Sequence, residues 1–213
     1  MIGVLFGKKH TYDDFNLVLT EKIIGLPSPK TSSVKVEGAD GVLDTSEVLT
    51  GEIKFNNRNL EFDFTMLDNY ENFQDKITEI ANYLHGKKLK IILDSNPEHY
   101  YIGRCSINQW ASDKRIGRIV IKCDCEPYKY DVIETVVNAS VNGVKTVRIH
   151  GKRRTVNPIV KCSADMEMSV NGETVSLKTG DNEIIDFFIR EGENVITFTG
   201  YGNVTLSFTG GDL

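Results

Sequence analysis

Apolar and polar residues alternate with period two along most of this chain, and with period 3.6 in one stretch only. The clearest alternation is Leu60, Phe62, Phe64 and Met66 against Glu61, Asp63 and Thr65, which predicts a strand with one buried face. Before it, Glu52–Phe55 reads as a second strand, turned back through Asn56-Asn57-Arg58-Asn59 to make a hairpin with Leu60–Met66. Ile2–Phe6, closed by Gly7, predicts a short edge strand, and Leu17–Ile24 a longer one. Further on come Lys88–Leu93, a turn over Asp94-Ser95-Asn96-Pro97, and His99–Cys105. Ser106–Ala111 and Lys114–Cys125 then form another hairpin, turning near Ser112-Asp113. In its second arm Ile119, Ile121, Cys123 and Cys125 share one face and Val120 takes the other. The helical stretch runs from Asn69 to about His85. Tyr70, Phe73, Ile77, Ile80, Ala81 and Leu84 make its apolar face, Asp68 and Glu71 its capping pair, and Gly86 its stop. Glu71, Asp75 and Glu79 form an acidic row read as a solvated face.

Pro127 cannot donate into a ladder, so the pattern breaks there. The boundary between two domains, 1–130 and 131–213, is placed at this point. The second part has no helical period. Val132–Val137, Val144–Ile149, Pro158–Cys162, Glu183–Ile189, Asn194–Thr199 and Asn203–Thr209 read as short strands, the last two turning at Gly200-Tyr201-Gly202. Glu167–Val170 and Glu173–Leu177 flank Asn171-Gly172, the strongest short hairpin pattern. The fold class is mainly β: an α+β first domain with one helix, then a small β-sandwich or jelly roll. At roughly 80 residues that second domain buries a modest core and no deep cleft.

One stretch resists both periods. From Gly25 to about Thr50 only Val34–Val36 is strand-like, and Pro27 and Pro29 favour an extended path. Irregular connections this long are uncommon and usually functional. Gly38 and Gly41 fit a turn needing positive φ. Leu26, Pro27, Pro29, Val36, Gly38, Asp40, Gly41, Leu43 and Asp44 are the candidate subunit-interface residues, in a loop ordered by a neighbour.

The totals narrow the function. The chain has 213 residues and a formal net charge of −5, which gives no nucleic-acid surface. No run approaches the roughly 20 apolar residues of a membrane span. The first residues carry too short an apolar run for a secretion signal, so the reading is a soluble protein made in a cytosol. Cys105, Cys123, Cys125 and Cys162 lack zinc-site spacing, and His10, His85, His99 and His150 are scattered, so the cysteines read as buried reduced thiols. There is no G-x-S-x-G, H-E-x-x-H, P-loop or G-x-G-x-x-G. Asp40 and Asp44 read as turn carboxylates rather than calcium ligands, and Lys152-Arg153-Arg154 as a solvated basic loop. Trp110 reads as half-buried packing. No catalytic residue, cofactor or metal ligand is assigned, and the reading is of a non-enzyme.

Several short motifs occur in a telling order: Val36-Glu37-Gly38-Ala39-Asp40-Gly41 with Leu43-Asp44, Asn57-Arg58-Asn59-Leu60-Glu61-Phe62, His85-Gly86-Lys87-Lys88, Tyr100-Tyr101-Ile102-Gly103-Arg104 and Cys123-Asp124-Cys125-Glu126-Pro127-Tyr128. Through them the first 130 residues resemble the distal tail protein (Dit) family of long-tailed bacteriophages, especially those of Gram-positive hosts. Asn157-Pro158, Asn171-Gly172 and Gly192-Glu193-Asn194 carry a looser resemblance in the second part. The resemblance implies a tail-tube-like β-sandwich or split barrel with one packed helix, followed by a galectin-like sandwich. It also implies a virion tail-tip protein, a homohexameric ring joining the tail tube protein to the tail-associated tip protein, with receptor-binding proteins as further partners. The competing reading is a carbohydrate-binding module for host cell-wall polysaccharide. It would need exposed aromatics on the second domain, where Tyr201 is the main candidate and Phe187, Phe188, Phe198 and Phe208 are assigned to the core.

Overall fold

The computed structural model describes residues 2–66, 73–112, 116–170 and 172–213. The chain forms two compact units, Met1–Lys129 with Leu213, and Tyr130–Asp212.

The first unit contains β1 (Val4–Phe6), β2 (Lys9–His10), β3 (Leu17–Ile24), β4 (Ser33–Val34), β5 (Leu43–Asp44), β6 (Arg58–Met66), α1 (Phe73–Leu84), β7 (Lys88–Leu93), β8 (Asn96–Ser112) and β9 (Gly117–Cys125). Its main sheet runs β2-β1-β7-β8-β9-β6-β3, and β4 pairs with β5 alone. The alternation in Leu60–Met66 places Leu60, Phe62, Phe64 and Met66 in the core, each almost fully buried. Burial of side chains of this size contributes about 1.5–3 kcal/mol apiece. Phe6 meets the Phe62 ring edge-on at 5.8 Å. Helix α1 lays Phe73, Ile77, Ile80 and Leu84 on the same core. It stops at Gly86, whose φ of 77° suits glycine. Its expected cap and first turn, Asp68 to Glu71, fall outside the described residues.

Several expected elements are different. Glu52–Phe55 is not a strand and makes no hairpin with β6. The neighbours of β6 are β3 and β9, so Leu60 lies opposite Ile24 and Cys123. A central strand takes both partners from long, apolar strands, and Phe55 is left to bridge Pro29. β1 is not an edge strand, because it lies between β2 and β7. The turn after β7 is Asp94-Ser95, with Asn96 and Pro97 already in β8. His99–Cys105 and Ser106–Ala111 are one strand, whose register against β9 shifts between Ile107 and Gln109. An irregularity of that kind breaks the alternation without ending the strand. Trp110 is 46% exposed and its ring lies 5.9 Å from that of Phe73. Within the acidic row Glu79 is paired, with Lys9 at 3.2 Å and Lys76 at 3.1 Å.

The second unit contains β10 (Lys129–Asp131), β11 (Thr135–Gly151), β12 (Ile159–Cys162), β13 (Met166–Val170), β14 (Glu173–Leu177), β15 (Gly180–Glu183), β16 (Gly192–Phe208) and β17 (Gly211–Asp212). Its larger sheet is ordered β14-β13-β16-β12-β15, and β11 runs along β16 for its full length. Opposite that long partner, residues 196–200 of β16 hold β13 and residues 204–207 hold β12. The stretches read as two pairs of short strands, on either side of Gly143 and of Gly200-Tyr201-Gly202, are therefore two continuous strands. Glycine here serves a bend inside a strand rather than a turn between strands. Gly200 has φ 147°, and a Cβ there would sit 2.8 Å from Met166 Cβ. Glu183–Ile189 is not a strand, because β15 ends at Glu183 and Ile189 makes an isolated bridge to Val156. Val170 lies opposite Glu173 around Gly172 at φ 86°, as the hairpin pattern predicts, although Asn171 itself lies outside the described residues. Phe187, Phe198 and Phe208 are buried, but Phe188 is 39% exposed, contrary to its expected place in the core. The basic loop is spent internally. Lys152 pairs with Asp131 and Asp212, Arg153 with Glu191, and Arg154 donates to Thr209 O.

Candidate subunit-interface arm

The stretch without a regular period is a long arm standing on the first unit. Its root is held where Gly25 N–H donates to Asn59 O at 2.9 Å. Two main-chain bonds close the stem, Asn56 N–H to Ser28 O at 2.9 Å and Lys30 N–H to Lys54 O at 2.7 Å. Phe55 packs its ring against that of Tyr128, with centroids 6.2 Å apart.

Beneath the stem sits Arg58, only 2% exposed. Its Nε donates to Gly25 O at 2.9 Å, its Nη1 donates to Pro127 O at 3.2 Å, and the guanidinium lies 5.2 Å from the Tyr101 ring centre. Burial pulls its pKa below the usual arginine value. An arginine in such a place remains charged, since guanidinium does not give up its proton in proteins. The charge is satisfied by carbonyl oxygens and an aromatic face, which ties the arm's root to the end of the first unit.

Above the stem, Ser32 and Thr45 face one another: Thr45 N–H donates to Ser32 O at 2.8 Å, and Ser32 N–H to Ser46 Oγ at 2.9 Å. Asp44 accepts from Ser46 N–H at 2.9 Å and from Ser46 Oγ at 2.6 Å. These hydrogen bonds, the hydroxyl first, hold the Asp44 carboxyl below the ordinary carboxylate pKa. Asp44 is thus a local turn-former. The small β4–β5 ladder then pairs Ser33 with Asp44 and Val34 with Leu43. Gly38 and Gly41 turn the tip at φ 82° and 76°, with open space around both. A second lobe is wound by Val48 N–H to Thr45 O and Gly51 N–H to Glu47 O.

The arm exposes Leu26, Val34, Val36, Val42, Leu43, Val48 and Leu49, the last at 97%. Of the residues expected from the sequence, Leu43 and Asp44 share the ladder, while Val36, Gly38, Asp40 and Gly41 make up the tip. Leu26 and Pro29 lie at the root and stem. Pro27 departs from the expectation: it is buried, so it anchors the arm and offers no surface. Val34, Val42, Val48 and Leu49 are exposed apolar residues that the sequence reading missed. Val48 and Leu49 lie in a single turn, between two stretches read as loop and strand, where no periodicity marks a face. The available clue was the apolar pair itself, flanked directly by the polar Thr45-Ser46-Glu47 and by Thr50-Gly51-Glu52.

The four cysteines are free and buried. Cys105 and Cys123 lie directly opposite each other, with sulfurs 3.4 Å apart. The Cys105 contact and then burial push the Cys123 thiol far up, and burial pushes Cys125 up to about 12. Thiols held protonated in this way are poor nucleophiles.

Residues 7–142 match the family model described as phage tail protein RIFT-related domain. The chain belongs to this phage tail protein family. Its fold is also similar to that of a solved structure, the Dit (gp 19.1) protein of phage SPP1, described as a paradigm of the hub adsorption apparatus in phages infecting Gram-positive hosts. The two chains share 15% identity with a TM-score of 0.73, over 98% of this chain and 99% of the other. No curated protein sequence matches the chain. As a member of a phage tail family it is a structural protein of the virion tail, with a mainly β fold.

Proposed function

We propose that this protein is the tail-tip hub of a long-tailed phage, a homohexameric ring that joins the tail tube protein to the tail-associated tip protein. The observation that carries this reading is the end-to-end likeness to the SPP1 hub protein, 98% of one chain on 99% of the other. The first domain, 1–130, forms the ring, and the second, 131–213, faces outward to receptor-binding or other tip proteins. The arm makes the contact between neighbours. Its seven exposed large apolar side chains lie within about 25 residues of chain, where isolated surface residues would be spread more widely. A cyclic ring needs such a head-to-tail patch, used by each subunit on the next. With a net charge of only −5, closure rests on apolar and main-chain contacts more than on charge steering.

The test is particle mass by light scattering with negative-stain images. Wild type forms rings of six subunits, at high concentration or on a tail-tube end. Val48→Asp with Leu49→Asp abolishes the rings and leaves the circular dichroism spectrum unchanged. Rings that persist in this double variant overturn the role of the arm; absence of rings even on tube ends overturns the hub.

A further inference from the structure

We infer that the second unit carries a separate homotypic interface: the first half of β11 pairs antiparallel with the same segment of a second copy. Among the described residues β11 is bonded along one side only, to β16, so its other side is an open sheet edge seventeen residues long. Open edges are templates for another strand, and proteins usually guard them with charge. The strands ending the two large sheets follow that practice, β2 with Lys9, β3 with Glu21 and Lys22, β14 with Glu173, and β15 with Asp181 and Glu183. Between Glu134 and Lys145, β11 has no charged residue at all.

The segment is also self-complementary. About Ala139, an antiparallel two-fold sets Val137 against the partner's Val141 on the core side, and Ala139 against its own copy. On the outer side it sets Asn138 against Ser140 and Val136 against Asn142. Val137 and Ala139 are only partly buried on the second unit's core, and Val136 is 50% exposed. A second copy would cover the first two and continue the sheet across the axis. Every facing pair is uncharged, and Lys145, Arg148 and His150 fall beyond the paired window. Those positions also lie past Gly143, whose positive φ interrupts the regular strand. The occupant is therefore a copy of this chain in two-fold symmetry, which is distinct from the head-to-tail contacts of a ring. Combined with rings, it doubles the assembly.

A charge swap on the full-length protein tests this. Asn138→Lys with Ser140→Lys places lysines face to face twice across the axis, whereas Asn138→Glu with Ser140→Lys places opposite charges there. Asn138 and Ser140 are both exposed; Asn138→Lys removes the acceptor of the Thr205 hydroxyl, whereas Asn138→Glu keeps a carboxylate that can accept it, so strand content is compared alongside mass. The expected result is that wild type and the Glu/Lys variant have twice the particle mass of the Lys/Lys variant, at equal helical and strand content. One common mass for all three, or a Glu/Lys variant that stays at the lower mass, overturns the proposal. The Val48→Asp, Leu49→Asp background separates the two interfaces: there the doubling persists although rings are lost.

Discussion

Arg58 is the residue on which the arm depends most. Its two carbonyl acceptors and the Tyr101 ring leave no room for a shorter side chain to keep the same bonds. Arg58→Ala should cost about 2–4 kcal/mol, because hydrogen bonds to a charged donor are lost and two carbonyls lose a partner. Arg58→Lys should recover part of this, since a point charge cannot reproduce the guanidinium fork; urea titration of both variants measures the difference. The sequence reading quoted this arginine only as part of the Asn57–Phe62 motif and gave it no role, because a buried arginine looks the same as an exposed one until its acceptors are placed. Gly117 is a second such residue. A Cβ there would come within 1.9 Å of the Phe73 ring, so Gly117→Ala should destabilise by about 1–3 kcal/mol through overpacking. Asp165 sets an acid-side limit. Lys178, then the N–H and hydroxyl of Thr179, hold its carboxyl down to about 2, against an ordinary value of 3.8. A depressed carboxylate pKa gives stability that is present above the unfolded value and lost as pH falls through the folded one. Wild type should therefore lose stability relative to Asp165→Asn between about pH 4 and pH 2, read as converging melting temperatures.

At the scale of elements, periodicity was a sound guide wherever one face is buried against a single core. Leu17–Ile24, Leu60–Met66 and Lys88–Leu93 are strands of the main sheet, and Phe73–Leu84 is a helix with the expected apolar face. Periodicity failed at partners and at punctuation. Glu52–Phe55 sat beside β6 in sequence, but the ladder on that side belongs to β3, more than 30 residues away. Gly200 and Gly202 carried the composition of a turn, but they relieve crowding against Met166 and Ser163 inside β16. Gly200→Ala should accordingly lower the melting temperature of the second unit by several degrees, from a clash at 2.8 Å and a φ of 147° that suits glycine alone.

At the scale of the molecule, each unit has its own core, one from Val4 to Cys125 and the other from Val141 to Phe208. A fragment spanning 131–213 should fold alone and unfold cooperatively, as judged by the steepness of its thermal transition. The two assembly contacts proposed above draw on surface that neither core uses. The arm leaves Leu49 almost wholly in solvent, and the β11 edge leaves a row of main-chain groups without strand partners among the described residues. Exposed apolar chain of that kind is tolerable in a protein that spends its working life among neighbours.

The linear order of residues was enough to determine the mainly β class, the one amphipathic helix, the reduced cysteines, and the motifs placing the chain in a phage tail family. These depend on local alternation and composition, which every residue reports about itself. Only the tertiary structure decided that Arg58 holds the arm's root, that Pro27 is buried, that Val48 and Leu49 are the arm's most open apolar pair, and that β11 and β16 run unbroken through their glycines. Each of those outcomes depends on which distant segment arrives alongside, and that is set by the packing of the whole chain.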